Sequence, residues 1–190
     1  MVAPVTIADR RVGPGAPVFI IAEAGVNHNG DVGLAKRLVD AAALAGADAV
    51  KFQTFHAERL VSPLAQKAAY QRATTGAAES QLDMIRKLEL PPEAFRELQA
   101  HSRARGIVFL STPFDEASAD LVGALDVPAF KIGSGELTNW PFLAHVARKG
   151  KPMIVSTGMG RLDEVADAVR VIREMGRPPL VLLHCVSSYP

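Results

Sequence analysis

The sequence predicts an α/β fold built on a parallel sheet, and three features predict it. Short runs of nearly continuous apolar, β-rich residues recur along the chain, as expected of strands covered on both faces. Segments of helical periodicity separate them. Aspartates and glycines mark the junctions where helices start and stop. Strand alternating with helix, without antiparallel pairing among these runs, is the pattern of a parallel sheet.

The elements follow in order. The first 15 residues read as a short strand or hairpin ahead of the repeat, Val5-Thr6-Ile7 and then Val12-Gly13. Six strands are predicted at Val18–Glu23, Ala49–Thr54, Ile107–Thr112, Ala129–Ser134, Met153–Gly158 and Leu180–Cys185. Buried helix faces are predicted from Leu34, Leu38, Val39, Ala42 and Ala45, from Phe95, Leu98 and Ser102, and from Val165, Val169 and Ile172. Asp31, Asp115 and Asp163 stand near helix starts, where a carboxylate can accept from free backbone N–H groups. Gly46, Gly106, Gly150 and Gly176 each precede a strand, where a left-handed helix C-cap is expected. Residues 56–92 are too long for a simple crossover. Their polar section, with Tyr70-Gln71 and Thr74-Thr75-Gly76, reads as a lid or binding loop. An extra surface helix around Gln81 to Leu88 is the plain alternative.

Composition narrows the function classes. The 190 residues carry 21 Lys+Arg against 20 Asp+Glu, and 48% are hydrophobic. That balance supports a sizeable core and argues against a disordered chain. It also argues against nucleic-acid binding through bulk positive charge. No apolar stretch is long enough to span a bilayer, and Met1 to Pro4 lacks the features of a signal peptide. The single cysteine, Cys185, excludes an internal disulfide and a multi-cysteine metal site. A cytoplasmic protein handling a small ligand, without nucleic-acid or membrane partners, is the expectation.

The polar residues that close the strands carry more information. Glu23, Lys51 with Gln53, Ser111-Thr112, Lys131 with Ser134, and Ser156-Thr157 all fall at strand ends. Ser187-Ser188-Tyr189 follows the last strand. In parallel α/β folds the ligand lies beyond the carboxyl ends of the strands. Alternation puts Lys51 and Gln53 on one face, opposite Val50, Phe52 and Thr54. A lysine in a buried strand is costly unless an anion pairs with it. Lys51 and Lys131 therefore imply an anionic ligand or buried carboxylate partners, and Thr112, Ser134 and Ser156 could complete a cradle for phosphate and carboxylate. Glu23 is either a structural partner of a lysine or a catalytic group.

Other residues are weaker candidates. His28, in Asn27-His28-Asn29-Gly30, is placed to touch a ligand, although capping explains the asparagines equally well. His56, His101 and His145 read as surface or helix residues. His184 lacks a second ligand at metal spacing and reads as packed or ligand-facing. Cys185 reads as a buried apolar thiol. Gly133-Ser134-Gly135-Glu136 fits neither a P-loop nor a complete GxGxxG.

From about residue 5 onward the chain resembles the sialic acid (N-acetylneuraminate) synthase family. The matching segments are Phe19 to Gly25 with Asn27 to Gly30, Lys51-Phe52-Gln53-Thr54, Ser111 to Asp115, Lys131 to Glu136, Ser156 to Met159, His184-Cys185 and Tyr189-Pro190. The resemblance implies a (β/α)₈ TIM barrel of the phosphoenolpyruvate-dependent synthase type. It implies condensation of phosphoenolpyruvate with an N-acylated hexose such as N-acetylmannosamine, giving a nine-carbon 2-keto acid and phosphate. A divalent metal, Mn²⁺, a homodimer and a C-terminal antifreeze-like domain are implied as well. Carried over by motif, Lys51, Thr112, Lys131, Ser134 and Ser156 would hold phosphoenolpyruvate, and Glu23 would face the reacting centre. Gln53 and Tyr189 would contact substrate or the metal's shell, and Glu136 would support the site or the sugar. Thr74 stands where many relatives place an Asn that contacts the sugar, and legionaminic-type synthases share the rest of the pattern.

Length completes the expectation. A full barrel needs about 250 residues, and only about six of its eight strand-helix units are found in residues 1–190. The implied metal-binding histidines and the antifreeze-like domain are expected beyond Pro190. Two other readings remain open: a Schiff-base aldolase using Lys51 or Lys131, and a fragment that binds phosphoenolpyruvate without turning it over.

Overall fold

A computed structural model describes residues 3–67 and 79–187. It opens with an antiparallel hairpin, β1 (Val5–Ile7) and β2 (Arg10–Val12). Six parallel strands follow: β3 (Ile21–Gly25), β4 (Ala49–Thr54), β5 (Val108–Pro113), β6 (Phe130–Ile132), β7 (Met153–Ser156) and β8 (Leu180–Leu183). They form two ladders in chain order, β3-β4-β5 and β6-β7-β8, and β5 lies alongside β6. Among the described residues the ladders do not close into a ring. The helices are α1 (Val32–Leu44), α2 (Ala57–Leu60), α3 (Gln81–Arg86), α4 (Pro92–Ala104), α5 (Glu116–Ala124), α6 (Trp140–Ala147) and α7 (Leu162–Met175).

Several predicted strands are longer than the observed ones. The first begins at Ile21 rather than Val18, because Asp48 binds the backbone of Ile20 at its edge: Ile20 N–H donates to the Asp48 carboxylate at 2.7 Å. The fourth, fifth and sixth end early, so Ser134, Gly158 and Cys185 lie in the loops beyond β6, β7 and β8. Ser134–Glu136 is a 3₁₀ turn. Helix α3 realises the surface helix expected near Gln81. The lid expected around Tyr70 and Thr74 lies outside the described residues.

One face of each strand packs on helices. Val50, Phe52, Phe109, Phe130, Ile132, Met153 and Val155 meet Val39, Phe95, Leu98, Val122, Leu143 and Ile172 in the main core. Fully burying side chains of this size contributes about 1.5–3 kcal/mol each. The helix starts are set as expected at Asp31, whose carboxylate accepts from Leu34 N–H at 2.6 Å, and at Asp115, which accepts from Ser118 N–H at 3.0 Å. Asp163 differs: it sits inside the first turn of α7, bonded to the Arg161 side chain, while Glu164 accepts from Arg161 N–H at 2.8 Å.

Gly46, Gly106 and Gly150 adopt the expected left-handed backbone. Gly176 does not. Its φ of 173° is extended, and Arg177 takes the left-handed position at φ 51°. Gly176 is needed for space: a Cβ there would lie 2.6 Å from the Ala147 carbonyl oxygen.

Candidate active site

The opposite face of the strands changes character along its length. Near the strand starts it is apolar. Ala49, Leu110, Ala129 and Ile154 pack there with Val5 and Ile7 of the hairpin. The hairpin thus plugs the amino-terminal end of this inward face. Toward the carboxyl ends the same face carries Glu23, Lys51, Gln53, Thr112, Lys131 and Ser156. Register sets Glu23 beside Lys51 and Gln53 beside Thr112.

The two lysines are held differently. Lys51 is 5% exposed and forms an ion pair with the largely solvent-open carboxylate of Glu23. Lys131 is 9% exposed, and its ammonium donates to Ser156 Oγ at 2.7 Å and to the Ile132 carbonyl at 2.9 Å. Among the described residues no ion pair reaches it. Burial, and then the charge of Lys51, lower its pKa to about 8, against the opposing effect of Glu23. Two buried ammonium groups therefore stand on this face, and its carboxylate pairs with Lys51 alone. Thr112 Oγ1 on the same face is buried without a hydrogen-bond partner among the described residues. A buried hydroxyl left unpaired costs about 1–3 kcal/mol, so an anion that accepts from it and neutralises the second lysine fits the arrangement.

The loops beyond β6, β7 and β8 extend this cradle. Ser134 Oγ accepts from Gly158 N–H at 3.0 Å and lies 3.5 Å from Cys185 Sγ. A Cβ at position 158 would lie 2.5 Å from Ser187 Oγ and 2.9 Å from Ser134 Oγ, so a side chain there would displace both hydroxyls. Glu136 accepts from the Asn139 amide at 2.7 Å, at the rim.

Of the predicted residues, Glu23, Lys51, Gln53, Thr112, Lys131 and Ser156 share the inward face. Ser134 joins them from the turn after β6, and Tyr189 lies outside the described residues. Sequence reasoning gave no role to the Gly158 N–H, and named Ser187 only among the polar groups that follow the last strand. Their signal was the Ser156-Thr157-Gly158 run, in which hydroxyl residues and a glycine follow directly on the strand. Cys185, expected to be a buried apolar thiol, is only partly buried and sits among hydroxyls. His184, expected inside the strand and packed, follows β8 and is exposed. His28 is fully buried; its Nδ1 accepts from Gly30 N–H at 3.0 Å and its ring lies 6.1 Å from that of Phe52, on the outward face. Burial lowers its pKa.

Among the described residues no three His, Cys, Asp or Glu side chains converge as a metal site requires. Among the same residues no helix is long and apolar enough to cross a membrane.

Comparison with known proteins places the chain. It belongs to the NeuB family, whose model matches residues 38–190. It is 51% identical over 174 residues to N,N'-diacetyllegionaminic acid synthase of Campylobacter jejuni, covering 90% of this chain and 52% of that protein. It is 36% identical to N-acetylneuraminate-9-phosphate synthase of Mus musculus, covering 95% of this chain and 50% of that protein. Its fold matches the crystal structure of N-acetylneuraminic acid (sialic acid) synthetase from Leptospira borgpetersenii in complex with citrate. There the TM-score is 0.85 at 33% identity, covering 99% of this chain and 61% of that one. The chain spans about half the length of the curated relatives it matches.

Proposed function

We propose that this NeuB-family chain forms the phosphoenolpyruvate-binding part of a (β/α)₈ synthase, which condenses phosphoenolpyruvate with an N-acylated amino sugar to give a nine-carbon 2-keto acid and phosphate. The observation that carries this is the pair of buried lysines, Lys51 held by the Glu23 carboxylate and Lys131 without a carboxylate partner among the described residues, with the unpaired Thr112 hydroxyl on the same face. A phosphate and a carboxylate on one small molecule would satisfy all three.

Each residue type then has a chemical reason. The enol carbon attacks the open-chain sugar aldehyde, and positive charge develops on the carbon bearing the phosphate ester. Water adds there, and the tetrahedral intermediate expels phosphate. Lys51, Lys131, Thr112, Ser134 and Ser156 hold the anionic groups, fixing the enol in line for attack. Glu23, open to solvent beside Lys51, faces the developing cation and the incoming water. Gln53, Glu136 and Tyr189 are assigned to the sugar side.

Mn²⁺ would supply polarisation of the aldehyde. The described residues offer no ligand set for it, so its ligands would come from elsewhere, and the roles assigned here rest on this chain's side chains. For the sugar, the greater identity to the legionaminic relative than to the neuraminate-9-phosphate relative favours a legionaminic-type precursor over N-acetylmannosamine. Phosphate release with each sugar, phosphoenolpyruvate and Mn²⁺ tests the reaction, and calorimetric titration of phosphoenolpyruvate tests the cradle. Absence of phosphoenolpyruvate binding would overturn the reading. The same proposal includes a homodimer, checked by light scattering.

A Schiff-base aldolase is favoured by one observation, the depressed pKa of Lys131, since a neutral amine is the nucleophile such enzymes use. Borohydride trapping of a carbonyl substrate on Lys131 would establish it; no adduct rejects it.

A further inference from the structure

We infer that Cys185 is a thiol-modification site on the rim of the anion cradle, selective for small anionic electrophiles, and that its occupation excludes the anionic ligand. The inference deepens the reading of the cradle under Proposed function and rests on it for the ligand's identity alone.

Cys185 follows β8, and its sulfur lies 3.5 Å from Ser134 Oγ. That hydroxyl accepts from Gly158 N–H at 3.0 Å. Ser156 Oγ, which accepts from Lys131 at 2.7 Å, belongs to the same group of hydroxyls near the sulfur. A separate observation points to a ligand in the cradle that this rim borders: Thr112, 2% exposed and on the same inward face as Lys131 and Ser156, has a hydroxyl with no partner among the described residues. The thiol is only partly buried, so a reagent can reach it. The sulfur also lies 3.7 Å from the Leu183 carbonyl, to which the thiol donates. Burial opposes ionisation of the thiol, but the Ser134 hydroxyl and then the nearby Ser156, Thr157 and Gly158 groups outweigh it and lower its pKa. Groups that stabilise a sulfur anion also attract an anionic reagent. With iodoacetate, the thiolate attacks the methylene carbon; the C–S bond forms, the C–I bond breaks and iodide leaves. The carboxymethyl group then carries its charge into the cradle.

Because Cys185 is the only cysteine in the chain, intact mass reports on it without ambiguity. Alkylation rates with iodoacetate and iodoacetamide are measured on the protein and on glutathione. The iodoacetate-to-iodoacetamide ratio is expected to be at least about tenfold higher for the protein, to fall toward the glutathione value in Lys131→Met, and to drop when inorganic phosphate or phosphoenolpyruvate is present. A ratio equal to that of glutathione overturns the inference. So does full reactivity in the presence of phosphoenolpyruvate that calorimetry shows to be bound. Anion-selective alkylation suppressed by inorganic phosphate, with no binding of phosphoenolpyruvate, would support the modification site and overturn the phosphoenolpyruvate reading instead.

Discussion

The two faces of strand β4 divide the labour of the molecule. Outward, Val50 and Phe52 are fully buried against helices. Inward, one residue away, Lys51 carries a charge into the interior and depends on Glu23 to hold it there. Strand β6 repeats the contrast: Phe130 and Ile132 belong to the core, while Lys131 between them has only a hydroxyl and a carbonyl. The period of two lets a strand supply stability and chemistry together. The inward groups are free to be poor for stability because the outward groups fix the fold.

Substitutions on the two faces should separate cleanly. The largest effect is expected for Phe52→Ala, about 3–5 kcal/mol lost in denaturant unfolding, as for other buried aromatic residues cut to alanine. A loss under 1 kcal/mol would break the comparison. Lys131→Met should weaken phosphoenolpyruvate binding by about 2–5 kcal/mol while leaving the midpoint of unfolding unchanged or higher, since an apolar residue of similar volume relieves a buried charge.

The pH dependence follows from the same group. Lys131 is depressed to about 8, so phosphoenolpyruvate affinity should be full below that pH and fall as pH rises through it. Stability of the free protein should move the other way. Between the folded pKa near 8 and the ordinary lysine value of 10.5 the unfolded chain binds more protons than the native one, so the Lys131 contribution to stability rises with pH across that window. Titration by calorimetry and by thermal melts reads the two slopes.

Smaller effects sharpen the contrast. Thr112→Val removes a hydroxyl that has no partner in the free protein. It should cost about 1–2 kcal/mol in phosphoenolpyruvate affinity while leaving stability unchanged or higher, since a buried unpaired hydroxyl is removed. Asp31→Ala removes the cap of α1 and should cost about 1 kcal/mol of stability with ligand affinity unchanged.

Much of this was legible in the residues. Apolar runs located the strands of both ladders, and alternation put Lys51 and Gln53 opposite Phe52, as observed. The misreadings came from backbone geometry. Strand lengths depended on where Asp48 and the Ser134 turn interrupt pairing. The role of Gly176 depended on the nearness of Ala147, distant in sequence. Cys185 looked apolar because sequence neighbours say nothing about a hydroxyl 51 positions earlier.

The sequence by itself determined which residue types would stand on the inward face: a buried strand lysine demands an anion, and the alternation of the strand fixes its side. Only the tertiary structure decided how that demand is met. It gave Glu23 to Lys51 and a hydroxyl to Lys131, left Thr112 unpaired, and brought Cys185 to the rim. Those pairings depend on the register between strands and the course of the loops beyond them, distances that no local pattern encodes.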